Sequence, residues 1–315
     1  MSDVYGWFNG LQPAAAAALV SLIVALVTTV ATVLIAPSVK YAFDRRLENR
    51  KLDLAYRFEQ RKALKDHIGR HKGAFLESAE ALSGRLQNFH VHEQRGWLEL
   101  KGKYTGEIAY YPKTFAYRLL LALGTGRVLE REALFIDASV ASDDDFSFLK
   151  AVKLNALVWR MASLFDQVPY NDEEAEDHFF KDSLASMADS FFEDGKVLSL
   201  RQFTTAIAQH EHPYVDVFRF FDGMHAKDGR LRYQRLVCAH LVLMVTLNSF
   251  GYDFQQTEQG KLRDVATLLS APGVRANLIQ LIQRMKLERD ASFAQLVEIL
   301  AEPTSISPAY QKPAV

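Results

Sequence analysis

Cysteine is nearly absent from this chain. Cys238 is the only one among 315 residues, which excludes an intramolecular disulfide. Charge is absent over one long stretch, since no Asp, Glu, Lys or Arg occurs in the 36 positions between Asp3 and Lys40. Proline is absent from Ser38 to Phe89, which removes the main obstacle to an uninterrupted helix there. The sequence also lacks the H-E-x-x-H, G-x-S-x-G and protein-kinase signatures, and Gly124-Thr-Gly126 has neither the Gly-Lys-Ser/Thr nor the preceding strand of a phosphate loop. With no assembled catalytic constellation, the expectation is a non-enzyme without catalytic residues or cofactor.

The uncharged stretch is filled by Ala14 to Ala36, 23 residues rich in Ala, Val, Leu and Ile. About 20 apolar residues in a helix cross about 30 Å of hydrocarbon. A transmembrane helix is therefore expected over 14–37, with residues 1–13 on one side and the bulk of the chain on the other. Residues 1–12 carry no Lys or Arg, whereas Lys40, Arg45, Arg46, Arg50 and Lys51 follow at once. Basic flanks stay in the cytoplasm, so the N-terminus is expected outside and the large domain inside. Tyr5, Trp7 and Phe8 before the span and Tyr41 and Phe43 after it suit the interfacial aromatic belts. A cleaved signal peptide fits less well, because the start is acidic and the apolar core too long.

Within the span, Ala17, Ser21, Ala25, Thr28 and Thr32 form a small or hydroxyl-bearing stripe at spacings of three and four. Such stripes let helices approach closely in lipid. The pattern fits a helix–helix interface, a pore lining in an assembly of four or more copies, or a monomeric Ala-rich anchor.

Residues 38–89 read as one long juxtamembrane helix. Leu47, Leu54, Ile68, Phe75, Leu82 and Phe89 recur every seven residues, interrupted once by Arg61, and Phe58, Ala79 and Leu86 occupy a second seam. A seven-residue repeat favours left-handed helix association. Lys51, Lys65 and Lys72 fall in the second seam, so a multimeric stalk and packing onto the chain's own domain fit equally. Charge is segregated: residues 40–72 hold eleven Lys/Arg against five Asp/Glu, and residues 166–194 hold ten Asp/Glu against one Lys.

The remainder, residues 90–301, reads as a helical cytoplasmic domain. Residues 91–111, rich in Gly and aromatics, read as a loop or short hairpin. Helices are expected after Pro112 to Gly124, from an N-cap at Ser142 through Leu164, from Asp172 to Phe192, and over 200–208, 213–223, 229–250, 256–270, 274–288 and 291–301. Leu236 to Asn248 is too short for a second span and reads as a buried core helix. Residues 302–315 are expected to be a disordered tail. The fold class is thus mainly α, with one transmembrane helix, a juxtamembrane helix and a helical domain with a small insertion.

No metal site is expected. His67/His71, His90/His92 and His210/His212 pair up without a third ligand. The segment from Asp194 to Ser199 has the look of a calcium-loop tail, but Phe192 and Lys196 stand where oxygen ligands belong. What remains is a binding surface. Arg95, Trp97, Lys101, Lys103, Tyr110, Tyr111, Lys113 and Arg118, with Tyr104 and Tyr117, interleave rings and cations, the composition that grips a nucleic-acid strand.

The Tyr110-Tyr111-x-x-Thr-x-x-Tyr117-Arg118-Leu-Leu segment, together with the order of span, long helix and helical domain, resembles Hailong-type anti-phage membrane effectors. That resemblance implies a tetrameric channel in the bacterial inner membrane. It further implies a cytoplasmic domain that binds a single-stranded DNA oligomer or nucleotide, and a partner nucleotidyltransferase. A membrane-anchored scaffold that binds a protein partner, without a pore, fits the same composition.

Overall fold

The structure, a computed structural model, describes residues 12–133, 140–168, 177–193, 196–209, 212–227 and 230–302. The chain divides into two compact units, Met1–Arg61 and Lys62–Val315.

In the first unit, helix α1 spans Pro13–Val30 with Pro13 in its first turn, where the fixed φ suits a helix start and the missing N–H is not needed. A π-helical turn, Ala31–Ile35, leads into helix α2, Ala36–His92. The stretch Pro13–Val33 has a mean hydropathy of 2.4, is unburied, and is long and apolar enough to cross a membrane. The hydroxyls of Thr28, Thr29 and Thr32 donate to the carbonyls of Val24, Ala25 and Thr28, four residues back, at 2.6–2.7 Å. Their protons are used within the helix, and only their lone pairs remain for a neighbour. Tyr5, Trp7 and Phe8 lie outside the described residues.

The seven-residue repeat divides in two. Ile68, Phe75, Leu82 and Phe89, with Ala79 and Leu86, are buried in the core of the second unit, whereas Leu47, Leu54 and Phe58 are exposed. From Leu64 onward the repeat is therefore answered inside the chain. Lys72 lies over the rings of Phe148 and Phe250 at 5.3 and 5.8 Å, which lets a cation occupy an otherwise apolar seam.

Helix α3, Tyr110–Ala133, starts earlier and ends later than expected. It runs antiparallel to α2, as the pairs Asn88/Tyr111, Arg85/Thr114 and Ser78/Thr125 show. Gly124 does not terminate it. A Cβ there would meet the Phe192 ring at 2.8 Å, and one at Gly126 would meet Val152 at 3.3 Å. These glycines admit neighbouring side chains close to the helix backbone rather than stopping the helix.

Helix α4, Asp143–Arg160, begins at the Ser142 cap, whose hydroxyl accepts from the N–H of Asp145 at 3.2 Å. Three aspartates in its first turn suit the positive end of the helix dipole. It stops at Arg160, and a 3₁₀ turn covers Ala162–Phe165. Helix α5 covers only Lys181–Asp189, shorter than the expected Asp172 to Phe192; residues 172–176, Asp194 and Gly195 lie outside the described residues. Within 91–111, α2 continues to His92, a 3₁₀ turn covers Glu93–Arg95, and a loop without strands leads to α3 at Tyr110. The hairpin lies elsewhere, with Phe192 pairing Val197 and Glu193 pairing Lys196.

Helices α6 (Leu200–Ile207), α7 (Val215–Phe221), α8 (Leu231–Phe250), α9 (Gln259–Thr267), α10 (Pro272–Arg284) and α11 (Ala291–Ala301) complete the unit. Helix α8 is its axis, with every residue from Arg232 to Leu247 buried, as expected of a core helix. Arg235 is wholly buried and donates to the carbonyls of Asp177 (2.9 Å) and Met161 (3.2 Å). Its guanidinium thereby satisfies carbonyls beyond the end of α4. The tail beyond Glu302 lies outside the described residues.

Candidate ligand-binding surface

The antiparallel contact of α2 with α3 collects part of the expected surface at one end. Tyr111 donates its phenolic hydrogen to Asn88 Oδ1 at 3.1 Å, and its ring centre lies 4.7 Å from that of Trp97. The Arg95 guanidinium stands 5.1 Å above Trp97. Arg118 donates to the carbonyl of Ala81 at 3.3 Å. Trp97 and Tyr110 are 37% and 67% exposed, so rings remain open to solvent beside half-buried Arg118 and exposed Arg95.

Arg85 was not legible as part of this surface. It lies on α2, outside the aromatic-rich segment, yet its guanidinium sits 4.4 Å from the Tyr111 ring centre and donates to Thr114 Oγ1 at 2.9 Å. Arg85 is only 7% exposed, and its Nε is buried without a partner. A buried guanidinium normally faces a carboxylate. Neither Arg85 nor Arg118 has one within ion-pair distance among the described residues. Burial lowers the Arg118 pKa, the neighbouring charge of Arg85 lowers it further, and the phenols of Tyr110 and Tyr111 oppose both. Burial raises the Tyr111 pKa against the pull of the two arginines. Two like charges and two phenols share one place, an arrangement in which an anion removes repulsion and supplies acceptors.

The other expected residues are distributed differently. Lys101 and Lys103 are exposed on the 100–104 turn, where Lys101 has φ +55° and its Nζ lies 3.9 Å from Glu99. Lys113 is half-buried on α3. Tyr117 braces the core, donating to the Leu198 carbonyl at 3.1 Å between Phe191 and Phe203. Tyr104 is tied to Asp222 at 3.1 Å.

Cys238 and the histidines His90 and His240 are buried in the core. Burial pushes the Cys238 thiol up to about 12, which keeps it protonated and unreactive. Among the described residues, no three His, Cys, Asp or Glu side chains are grouped to hold a metal; His210 lies outside them. Comparison of the chain with protein-family profiles, curated proteins and solved structures finds no match.

Proposed function

We propose that this chain is a membrane effector: a single-pass anchor bearing a cytoplasmic helical domain that senses a nucleotide or single-stranded DNA oligomer. The ligand state of that domain then governs an oligomeric channel formed by the spans. The observation that carries the sensing half is the pair Arg85 and Arg118, without a carboxylate partner among the described residues, beside exposed Trp97 and Tyr110. Cations for phosphates and rings for bases are the requirements of a single-strand site. The membrane half rests on the unburied apolar helix Pro13–Val33 and on the basic flank that follows it.

The test is a titration of labelled short DNA and RNA oligomers against the detergent-solubilised full chain at two salt concentrations, with the particle mass recorded in each state. Binding that weakens with salt and falls in Arg118→Ala supports the reading. Absence of binding by every oligomer overturns it. A reporter fused after Val315 that is active only outside the cytoplasm would overturn the orientation.

A scaffold that binds a protein partner without a pore is the second reading. Tyr252 and Phe254, stacked at 5.5 Å and 58% and 77% exposed, favour it, since solvent-facing aromatics are enriched where proteins dock.

A further inference from the structure

A cleft between α3, α4 and α5, lined on α3 by residues C-terminal to Tyr110 and Arg118, has its own unsatisfied chemistry. Its apolar floor includes Leu123, Ala156 and Leu184, and its polar lining is Arg127, Glu130, Arg160 and Lys181. Among the described residues Arg160 has no hydrogen-bond or ion-pair partner, and its Nε is buried. Glu130 is its counterpart of opposite kind. Its Oε2 lies 3.5 Å from Lys153 Nζ, while its Oε1 is buried and also unpartnered. Such groups are rare in folded proteins and call for water or a ligand.

Charge decides between them. Arg127 and Arg131 share a single oxygen of Asp189, each at 3.4 Å, and Lys181 has no ion pair among the described residues. Among the described residues, the lining of the cleft thus sets three cations (Arg127, Arg160 and Lys181) against Glu130, with Asp189 shared between Arg127 and Arg131. A bridging water satisfies hydrogen bonds but leaves that excess uncompensated. A bare anion answers the excess but leaves Glu130 Oε1 facing another negative group.

We propose that this cleft binds a small phosphate monoester that also carries hydroxyl or amino donors, the chemistry shared by nucleotides and sugar phosphates. Its phosphate accepts from Arg160 and Lys181, with Arg127 beside them. A hydroxyl or amino group of the same molecule donates to Glu130 Oε1, and its carbon skeleton lies on Leu123 and Leu184.

The experiment is calorimetric titration of the detergent-solubilised full chain with AMP, glucose 6-phosphate and inorganic phosphate in separate arms. Both esters, or one of them, should bind more tightly than inorganic phosphate. Arg160→Gln should weaken that binding about tenfold, the size of one charge-assisted hydrogen bond. Lys181→Ala, at an exposed position where folding is safe, should weaken it a few-fold and more at low salt. Arg118→Ala should leave it unchanged, which separates this cleft from the surface between α2 and α3. Equal affinity for phosphate and both esters, binding indifferent to Arg160→Gln and Lys181→Ala, or no binding in any arm overturns the proposal.

Discussion

Asp222 accepts the phenolic hydrogen of Tyr104 at 3.1 Å, joining residues 118 positions apart. The same carboxylate accepts the backbone N–H groups of Leu100 (2.7 Å), Lys101 (3.0 Å) and Gly102 (2.9 Å). One side chain therefore shapes the turn that carries Lys101 and Lys103, and it tolerates the positive φ that Lys101 adopts there.

Asp222→Ala should accordingly destabilise the domain by about 1–3 kcal/mol. Burial raises the Asp222 pKa, but the three N–H groups and Tyr104 outweigh it and hold the carboxyl below its ordinary value. A depressed folded-state value means that the stabilisation is complete above the ordinary carboxylate range. It is lost as pH falls through the depressed value. Urea midpoints of wild type and Asp222→Asn should differ at neutral pH and converge in acid; equal midpoints at neutral pH would refute the role.

His90 and His240 stack at 5.2 Å in the core, and burial pushes His90 down from 6.5 to about 3 and His240 well below 6.5. Both are neutral when folded, and both take up protons when unfolded. Stability should therefore decline as pH drops from 6.5 toward 3. His240→Leu should shrink the fall in melting temperature between pH 7 and pH 5, and a fall of undiminished size would remove the pair as its source.

Gly124→Val places a branched side chain where even a Cβ would lie 2.8 Å from Phe192. We expect a loss of about 1–3 kcal/mol that the second change Phe192→Ala partly relieves. A double-mutant cycle in urea measures it, and strictly additive effects would separate the two residues.

At the α2–α3 surface, Tyr111→Ala should cost about 1–3 kcal/mol of oligomer binding if its ring stacks a base. Arg85→Lys keeps the charge but loses the fork and the stacking on Tyr111, and should weaken binding as well. Lys113→Ala should act mainly at low salt. Fluorescence anisotropy at two ionic strengths separates these cases, and an oligomer that binds all three variants as tightly as wild type binds elsewhere.

In the span, Ser21→Leu and Ala25→Leu put bulk on the small-residue stripe and should shift the particle toward monomer. Mass measurement in detergent checks this; unchanged mass in both variants would show that the stripe faces lipid or a pore.

The sequence alone determined what depends on neighbours along the chain. An uncharged run delimits a helix able to cross a membrane, because hydrocarbon penalises charge wherever the rest of the chain lies. Ser142 with Asp143, Asp144 and Asp145 marked a helix start for an equally local reason, since capping involves groups within one turn. Tertiary structure decided what depends on residues far apart. Gly124 reads as a helix stop until Phe192 comes to lie against it. The seven-residue repeat of α2 does not say which of its turns face the chain's own core, and burial from Leu64 onward answers that. In the sequence, Arg85 is one charge among many on α2. Only its approach to Tyr111 and Thr114 on α3, with no carboxylate partner among the described residues, makes it part of a candidate anion site. A side chain's charge is written in its identity, but what compensates that charge is set by distances that only the folded chain fixes.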